Sequence, residues 1–378
     1  SVTAPALGSQ AARRHVTTVI ASASVSRATT VDLSVLDRAQ RGLFRVFGRL
    51  PASVLGLGAR LTKVNSDGEH IAPEMAVVAA ATANVPGMAL TGVDPATDRK
   101  KLEATSASMA QTFAPFAIEA DLVLDGPGGP IGATRYRVEE GTPRGLILFL
   151  HGGGYVVGSR ASHDSAVRAL AIASGADVLS VDYRLAPEAK FPAAVDDSLA
   201  AWYFAVARAP EWGIDPAKII VAGDSAGGCL AADIAQATRG DDVVPALQLL
   251  IYPVTEMGAR TRSRAEFDAG FFLTGQDLEY FTEHYLSDPE TELADPRVSP
   301  LLADDLSGLP PAYVVVAGFD PLRDEGIAYA EAMRAAGVPV TLERAGAMIH
   351  GFLNMGLISP DAREYIARMG AAVIDAVE

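Results

Sequence analysis

Residues 219–228 read Ile-Ile-Val-Ala-Gly-Asp-Ser-Ala-Gly-Gly, and they leave few folds open to this chain. An apolar, β-branched run leads into Ser225, and a small-residue helical pattern, Cys229 to Ala235, leads away from it. A strand that turns sharply into a helix pushes one serine hydroxyl out above the end of a sheet. Gly223 and Gly227 lack the Cβ atoms that would obstruct so tight a turn. A helix starting at Ser225 also aims its unpaired N–H groups and the positive end of its dipole at the place where negative charge would form. The pattern predicts a nucleophile at Ser225.

A serine hydroxyl is a weak nucleophile without a base, and the base needs an acid to orient it. On a strand–elbow–helix scaffold the order along the chain is serine, acid, histidine. Of the six histidines, His15, His70, His151 and His163 precede Ser225, and only His284 and His350 follow it. His284 lies in Tyr280-Phe281-Thr282-Glu283-His284-Tyr285, which reads as an amphipathic helix with His284 at its surface. His350 follows the plausible strand Val338–Glu343 and precedes Gly351-Phe352, a loop just past a strand end. For the acid, Pro311–Phe319 reads as a buried strand, short and β-branched, with Asp320 at its carboxyl end, where the sites of parallel sheets form. Asp324 is held in reserve, in the first turn of the next helix, where a carboxylate meets the dipole favourably.

The run Leu146–Leu150 is an apolar strand ending in His151-Gly152-Gly153-Gly154-Tyr155. Consecutive glycines leave main-chain N–H groups uncovered, and with the N–H of Ala226 they can serve a tetrahedral oxyanion. No Gly-Lys-Ser/Thr ending accompanies the glycines, which argues against a phosphate loop.

Taken together the chain resembles the hormone-sensitive-lipase-like group of α/β-hydrolases, the bacterial family IV esterases. The resemblance runs from about Ala72 to the C-terminus. It rests on His151-Gly152-Gly153-Gly154, Asp182-Tyr183-Arg184-Leu185-Ala186-Pro187-Glu188, Gly223-Asp224-Ser225-Ala226-Gly227-Gly228, Asp320-Pro321-Leu322-Arg323-Asp324-Glu325 and His350-Gly351-Phe352. The resemblance implies Ser225, Asp320 and His350 as a triad, and Gly153, Gly154 and Ala226 as oxyanion donors. It implies hydrolysis of carboxylic esters without metal or cofactor, and a structural role for His151. Gly223-Asp224-Ser225 is similar to the aspartate-bearing branch of the group. Alternatives with the same machinery are a lipase or an amide hydrolase. A ligand receptor on a disabled hydrolase scaffold is disfavoured because His350 is present.

Outside the motifs, the expected fold is α/β: an α/β-hydrolase, with a mostly parallel eight-stranded sheet flanked by helices and a helical cap. Strands are expected at 118–124, 132–138, 145–150, 177–182, 218–223, 246–252, 312–318 and 338–344, with helices at 164–174, 193–209 and 326–336 between some of them. Asp125–Pro130 marks a hairpin between the first two strands. Residues 1–117 are read as an N-terminal extension and helical cap, and 118–378 as the catalytic domain. The aromatic-rich stretch 256–297 is a second cap segment. Tyr155, Tyr183, Phe319, Met348 and Ile349 flank the motifs and are expected to line the pocket.

The net charge of −15 argues against nucleic acid as a partner and against strong attraction to anionic lipid. The single cysteine, Cys229, cannot form an intramolecular disulfide and reads as a buried small hydrophobe. A cytoplasmic small-molecule esterase is expected, with a homodimer left open. Residues 13–24 have a basic pair followed by small apolar residues, but the stretch is too short and polar for a good export signal. Leu33, Leu36, Gln40, Leu43, Phe47 and Leu50 recur at helical spacing, opposite Arg38, Arg41, Arg45 and Arg49. That segment reads as a cap helix whose arginines pair with the acidic body, in preference to a membrane-surface helix.

Overall fold

The computed structural model describes residues 63–378 apart from Pro86 and Val93. The export-like stretch 13–24, His15 and the arginine-bearing helix expected at 33–50 lie outside the described residues. Two helices, α1 (Pro73–Asn84) and α2 (Pro95–Met109), precede the sheet. A hairpin follows, β1 (Ile118–Gly126) and β2 (Gly129–Arg137), closed by the glycine- and proline-rich turn. Strands and helices then alternate through β3 (Leu146–Leu150), α3 (Arg160–Ser174), β4 (Asp177–Asp182), α4 (Ala193–Arg208), β5 (Ile219–Asp224), α5 (Ala226–Ala237) and β6 (Gln248–Ile251). Three helices, α6 (Arg262–Glu266), α7 (Gly275–Tyr285) and α8 (Pro289–Glu292), interrupt the alternation. It resumes with β7 (Ala312–Phe319), α9 (Arg323–Ala335), β8 (Val340–Ile349) and α10 (Pro360–Val377).

The eight strands form one sheet in the order β1-β2-β4-β3-β5-β6-β7-β8. β1, β2 and β4 pair antiparallel, and every pairing from β4 across to β8 is parallel. Side chains alternate along each strand, so the apolar runs feed two cores. Leu146, Leu148, Leu150 and Val221 pack on one face with Trp202 of α4 and Leu230 of α5. Ile147, Phe149, Ile220 and Ala222 pack on the other with Leu170 of α3 and Met369 of α10. Helices on both faces bring the carboxyl ends of β3, β5, β7 and β8 to one rim, where the glycine loop, Ser225, Asp320 and His350 emerge.

Several boundaries differ from the sequence reading, two of them for identifiable reasons. α3 begins at Arg160, four residues early, because Ser159 and Ser162 form a reciprocal capping box. β8 runs on to Ile349 past the polar residues Glu343 and Arg344. As an edge strand it tolerates them: Tyr313 pairs with Glu343, and Arg344 binds Asp67 and Glu69. Among the described residues no helix is long and apolar enough to cross a membrane.

The loop that carries Asp320 is tied down from below. Arg323, fully buried, donates from Nη1 to the Gly318 carbonyl (3.0 Å) and from Nε to Asp324 (2.9 Å). Asn65 donates to the same carbonyl (3.0 Å), which joins residues 63–70 to the end of β7. Asp67 and Glu266 lie 3.5 and 3.6 Å from the Arg323 guanidinium. Hydrogen bonds from Arg344 and then Arg262 hold the Asp67 carboxyl down to about 2. Arg323 is the buried member of this cluster, and replacing it removes its hydrogen bonds to Gly318 O and Asp324 while Arg344 and Arg262 keep their hold on Asp67. Arg323→Leu is therefore expected to lower unfolding free energy by roughly 3 kcal/mol in urea titrations. An unchanged midpoint would show that the cluster adds nothing to stability.

Candidate active site

Ser225 stands between β5 and α5 with φ +55° and ψ −119°, a conformation a side chain adopts only when its surroundings hold it there. Its N–H donates to Ile251 O (2.9 Å), and its carbonyl accepts from Val254 (3.1 Å). Glycine is required nearby: a Cβ on Gly227 would overlap the Leu150 carbonyl oxygen. The four non-glycine residues with positive φ among those described are Tyr155, Ser225, Tyr252 and Phe272. All four lie in or against this site, so backbone strain is gathered there.

His350, in the turn after β8, joins the other two groups. Its Nδ1 lies 2.7 Å from Asp320 Oδ2, and its Nε2 lies 3.0 Å from Ser225 Oγ. A carboxylate can only accept, so Nδ1 carries the proton and the Nε2 lone pair faces the serine hydroxyl. Asp320 Oδ1 accepts the Leu322 N–H (2.8 Å). Asp320 is sealed at 0% exposure while Ser225 keeps 8%, so solvent reaches the serine and not the carboxylate. Asp324, the reserve acid, bonds instead to Ser263 N and Arg323.

The glycine loop is held from beneath by Asp224. Its Oδ1 accepts the Gly152 N–H (2.9 Å) and lies 3.3 Å from His163 Nε2, and Tyr252 OH approaches its Oδ2 (3.4 Å). Burial pushes the Asp224 carboxyl up, but His163 and the Gly152 N–H outweigh burial and hold it below its ordinary value. Among the described residues the N–H groups of Gly153, Gly154 and Ala226 donate to no protein acceptor. Gly154 has φ +59°, and a Cβ there would meet the ring of Phe281, which closes over the loop.

The remaining histidines serve elsewhere. His151 is fully buried, stacked on Tyr183 (4.3 Å between centroids), with Nδ1 donating to Gly152 O (2.8 Å). His284, half-buried on α7, bonds to the Tyr280 carbonyl, and His70 is exposed. No cluster of three His, Cys, Asp or Glu among the described residues is arranged to hold a metal ion.

Two cavities meet at Ser225. The larger, a cleft of about 810 Å³ open to solvent, runs between α2, the Gly351–Met355 turn and the loop before α7. The smaller, about 370 Å³, lies behind Gly154 and Phe281 among Val254, Met257, Leu273 and Leu278. Of the residues expected to line the pocket, only Tyr155 does so, in the smaller cavity. The others are corrected by their packing. Tyr183 lies under His151 and donates to its carbonyl (2.6 Å), and Phe319 packs on Phe267 and Phe271. Met348 and Ile349, at the end of β8, are buried in the core.

Comparison with known proteins agrees with this architecture. Residues 147–354 match the family model described as alpha/beta hydrolase fold. The chain is 48% identical to the carboxylic ester hydrolase LipN of Mycobacterium tuberculosis over 62% of its length and 64% of that protein's. It is 40% identical to ethyl acetate hydrolase of Pseudomonas putida, over 70% of this chain and 85% of that one. A solved esterase of Pyrobaculum calidifontis superposes with a TM-score of 0.71 at 40% identity, covering 75% of this chain and 93% of that one.

The chain belongs to the hormone-sensitive-lipase-like α/β-hydrolases and is a carboxylic ester hydrolase.

In this esterase, the sequence reading missed His163, Tyr252 and most of the cleft wall. Tyr252 had a usable signal, since it directly follows the strand beside the one that leads to Ser225; its ring lies 4.6 Å from that of His350. His163 had none, because nothing in sequence joins α3 to Asp224.

Burial, with His163 as the next cause, lowers His151 from 6.5 to about 4. The esterase therefore folds with His151 neutral, while the unfolded chain binds a proton below about 6.5. The stability this histidine withholds from the protonated state is present above pH 6.5 and is lost as pH falls to about 4. His151→Asn should flatten that part of the profile. The check is the drop in melting temperature between pH 7 and pH 4.5, and an equal drop in both proteins would refute the assignment.

Proposed function

We propose that Ser225 is the nucleophile, His350 the general base, and Asp320 the group that orients His350 and stabilises its charged form. Gly153, Gly154 and Ala226 supply the oxyanion donors, and esters of short to medium chain are the substrates. The observation that carries this reading is the hydrogen-bonded line Ser225–His350–Asp320 beneath the solvent cleft. Ser225 Oγ forms a bond to the ester carbonyl carbon, its proton passes to His350 Nε2, and the carbonyl π pair moves to the oxygen. The three free N–H groups are available for that oxyanion. Collapse expels the alkoxide, which takes the proton from Nε2. Water then repeats the sequence against the acyl-enzyme and releases the acid.

Chain length is argued from space and from kinship. A small cavity of about 370 Å³, partly open to solvent, suits a compact arm, and one relative carries the name ethyl acetate hydrolase. The segments carrying α2 and α7 act as a cap that shapes the cleft and excludes water during turnover. Ser225→Ala is expected to reduce kcat on a short-chain chromogenic ester by about 10⁴-fold or more, with the thermal transition retained. Turnover within tenfold of the parent would remove Ser225 from the reaction.

A further inference from the structure

The larger cleft has mostly hydrocarbon walls, among them Leu102, Met109, Phe272 and Met355. Three uncharged polar side chains also face it: Asn354 on one wall, and Thr105 and Ser106 on α2. Asn354 Oδ1 is buried without a hydrogen-bond partner, and its Nδ2 bonds to none of the described residues. Whichever way the amide is turned, one of its polar atoms is buried and unpaired. Buried polar atoms are nearly always paired in folded proteins, and an exception in a cleft wall points to a missing partner. The hydroxyls of Thr105 and Ser106 likewise have no acceptor among the described residues, whereas Ser108 on the same helix bonds back to Ala104 O (2.9 Å). Lys101, at the mouth, is engaged with the Ala89 carbonyl. A mostly apolar pocket with a few converging polar groups is the form that fixes a ligand's orientation.

The chemistry selects which arm of the ester meets these groups. The leaving alkoxide must take its proton from His350, so the alcohol arm departs on the histidine side. Asn354 is four residues past His350, in the turn bordering the larger cleft, and His350 does not line the smaller cavity. We propose that this hydrolase selects esters whose alcohol-derived arm carries a hydroxyl or amide, held by Asn354 together with Thr105 and Ser106. The inference rests on the hydrolase mechanism above.

The test compares kcat/KM for 4-hydroxybutyl acetate and its near-isosteric counterpart pentyl acetate. A matched acyl-side pair, methyl 6-hydroxyhexanoate and methyl heptanoate, runs beside it. The parent should favour the hydroxylated alcohol arm by about tenfold, the size of one neutral hydrogen bond, and show no such preference on the acyl side. Asn354→Leu should abolish or reverse the ratio, and Ser106→Ala should reduce it. A ratio within one sample does not depend on the active fraction, so partial misfolding cannot imitate the result, and Ser106→Ala stands if Asn354→Leu does not fold. Equal ratios in parent and variants, or a preference confined to the acyl pair, would overturn the proposal. Absence of turnover on both members of a pair would instead count against the ester-hydrolase mechanism.

Discussion

The first turn of α5 packs directly onto the end of β3, with no room for a side chain between Gly227 and the Leu150 carbonyl. That approach makes the turn at Ser225 sharp enough to force φ to +55°. The same approach brings the glycine loop leaving β3 alongside the serine, because β3 and β5 are hydrogen-bonded neighbours in the sheet. β7 and β8 then deliver Asp320 and His350 to that rim. A parallel sheet with strand ends in register thus converts separations of 30 and 125 residues into hydrogen bonds of 2.7 and 3.0 Å. The strain at the elbow persists because the backbone bonds to Ile251 and Val254 and the packing of α5 over-determine it.

Environment separates groups of the same type. Asp320 and Asp224 are both buried carboxylates at strand ends. One faces the imidazole that reaches Ser225, and the other holds Gly152 and meets His163. His350 and His151 both border the glycine loop or the serine, yet His151 is enclosed against Tyr183 with burial holding it neutral. Groups held in this way before substrate arrives need no reorganisation when charge develops.

Legibility in the sequence followed the range of the interaction. The strands were readable from apolar runs, and Ser225, Asp320 and His350 from their place relative to those runs. The pocket wall was not readable in the same way. Phe319 and Ile349 adjoin Asp320 and His350, and Met348 lies two residues before His350, yet all three pack into the core below the rim. Tyr183 follows β4 and was drawn under the site by stacking on His151. Beside the motif residues the cleft is lined from α2 and by Asn354 and Met355, which lie outside every motif.

Local sequence therefore determined the alternation of strands and helices, the elbow around Ser225 and the chain order of Ser225, Asp320 and His350. Those features depend on contacts within a few residues and on a repeating apolar pattern. Tertiary structure alone decided that Asp224 reaches Gly152 and His163, that Phe281 closes on Gly154, and that Asn354 Oδ1 has no partner among the described residues. Those facts depend on how separate elements pack, and packing is a property of the whole sheet and its helices.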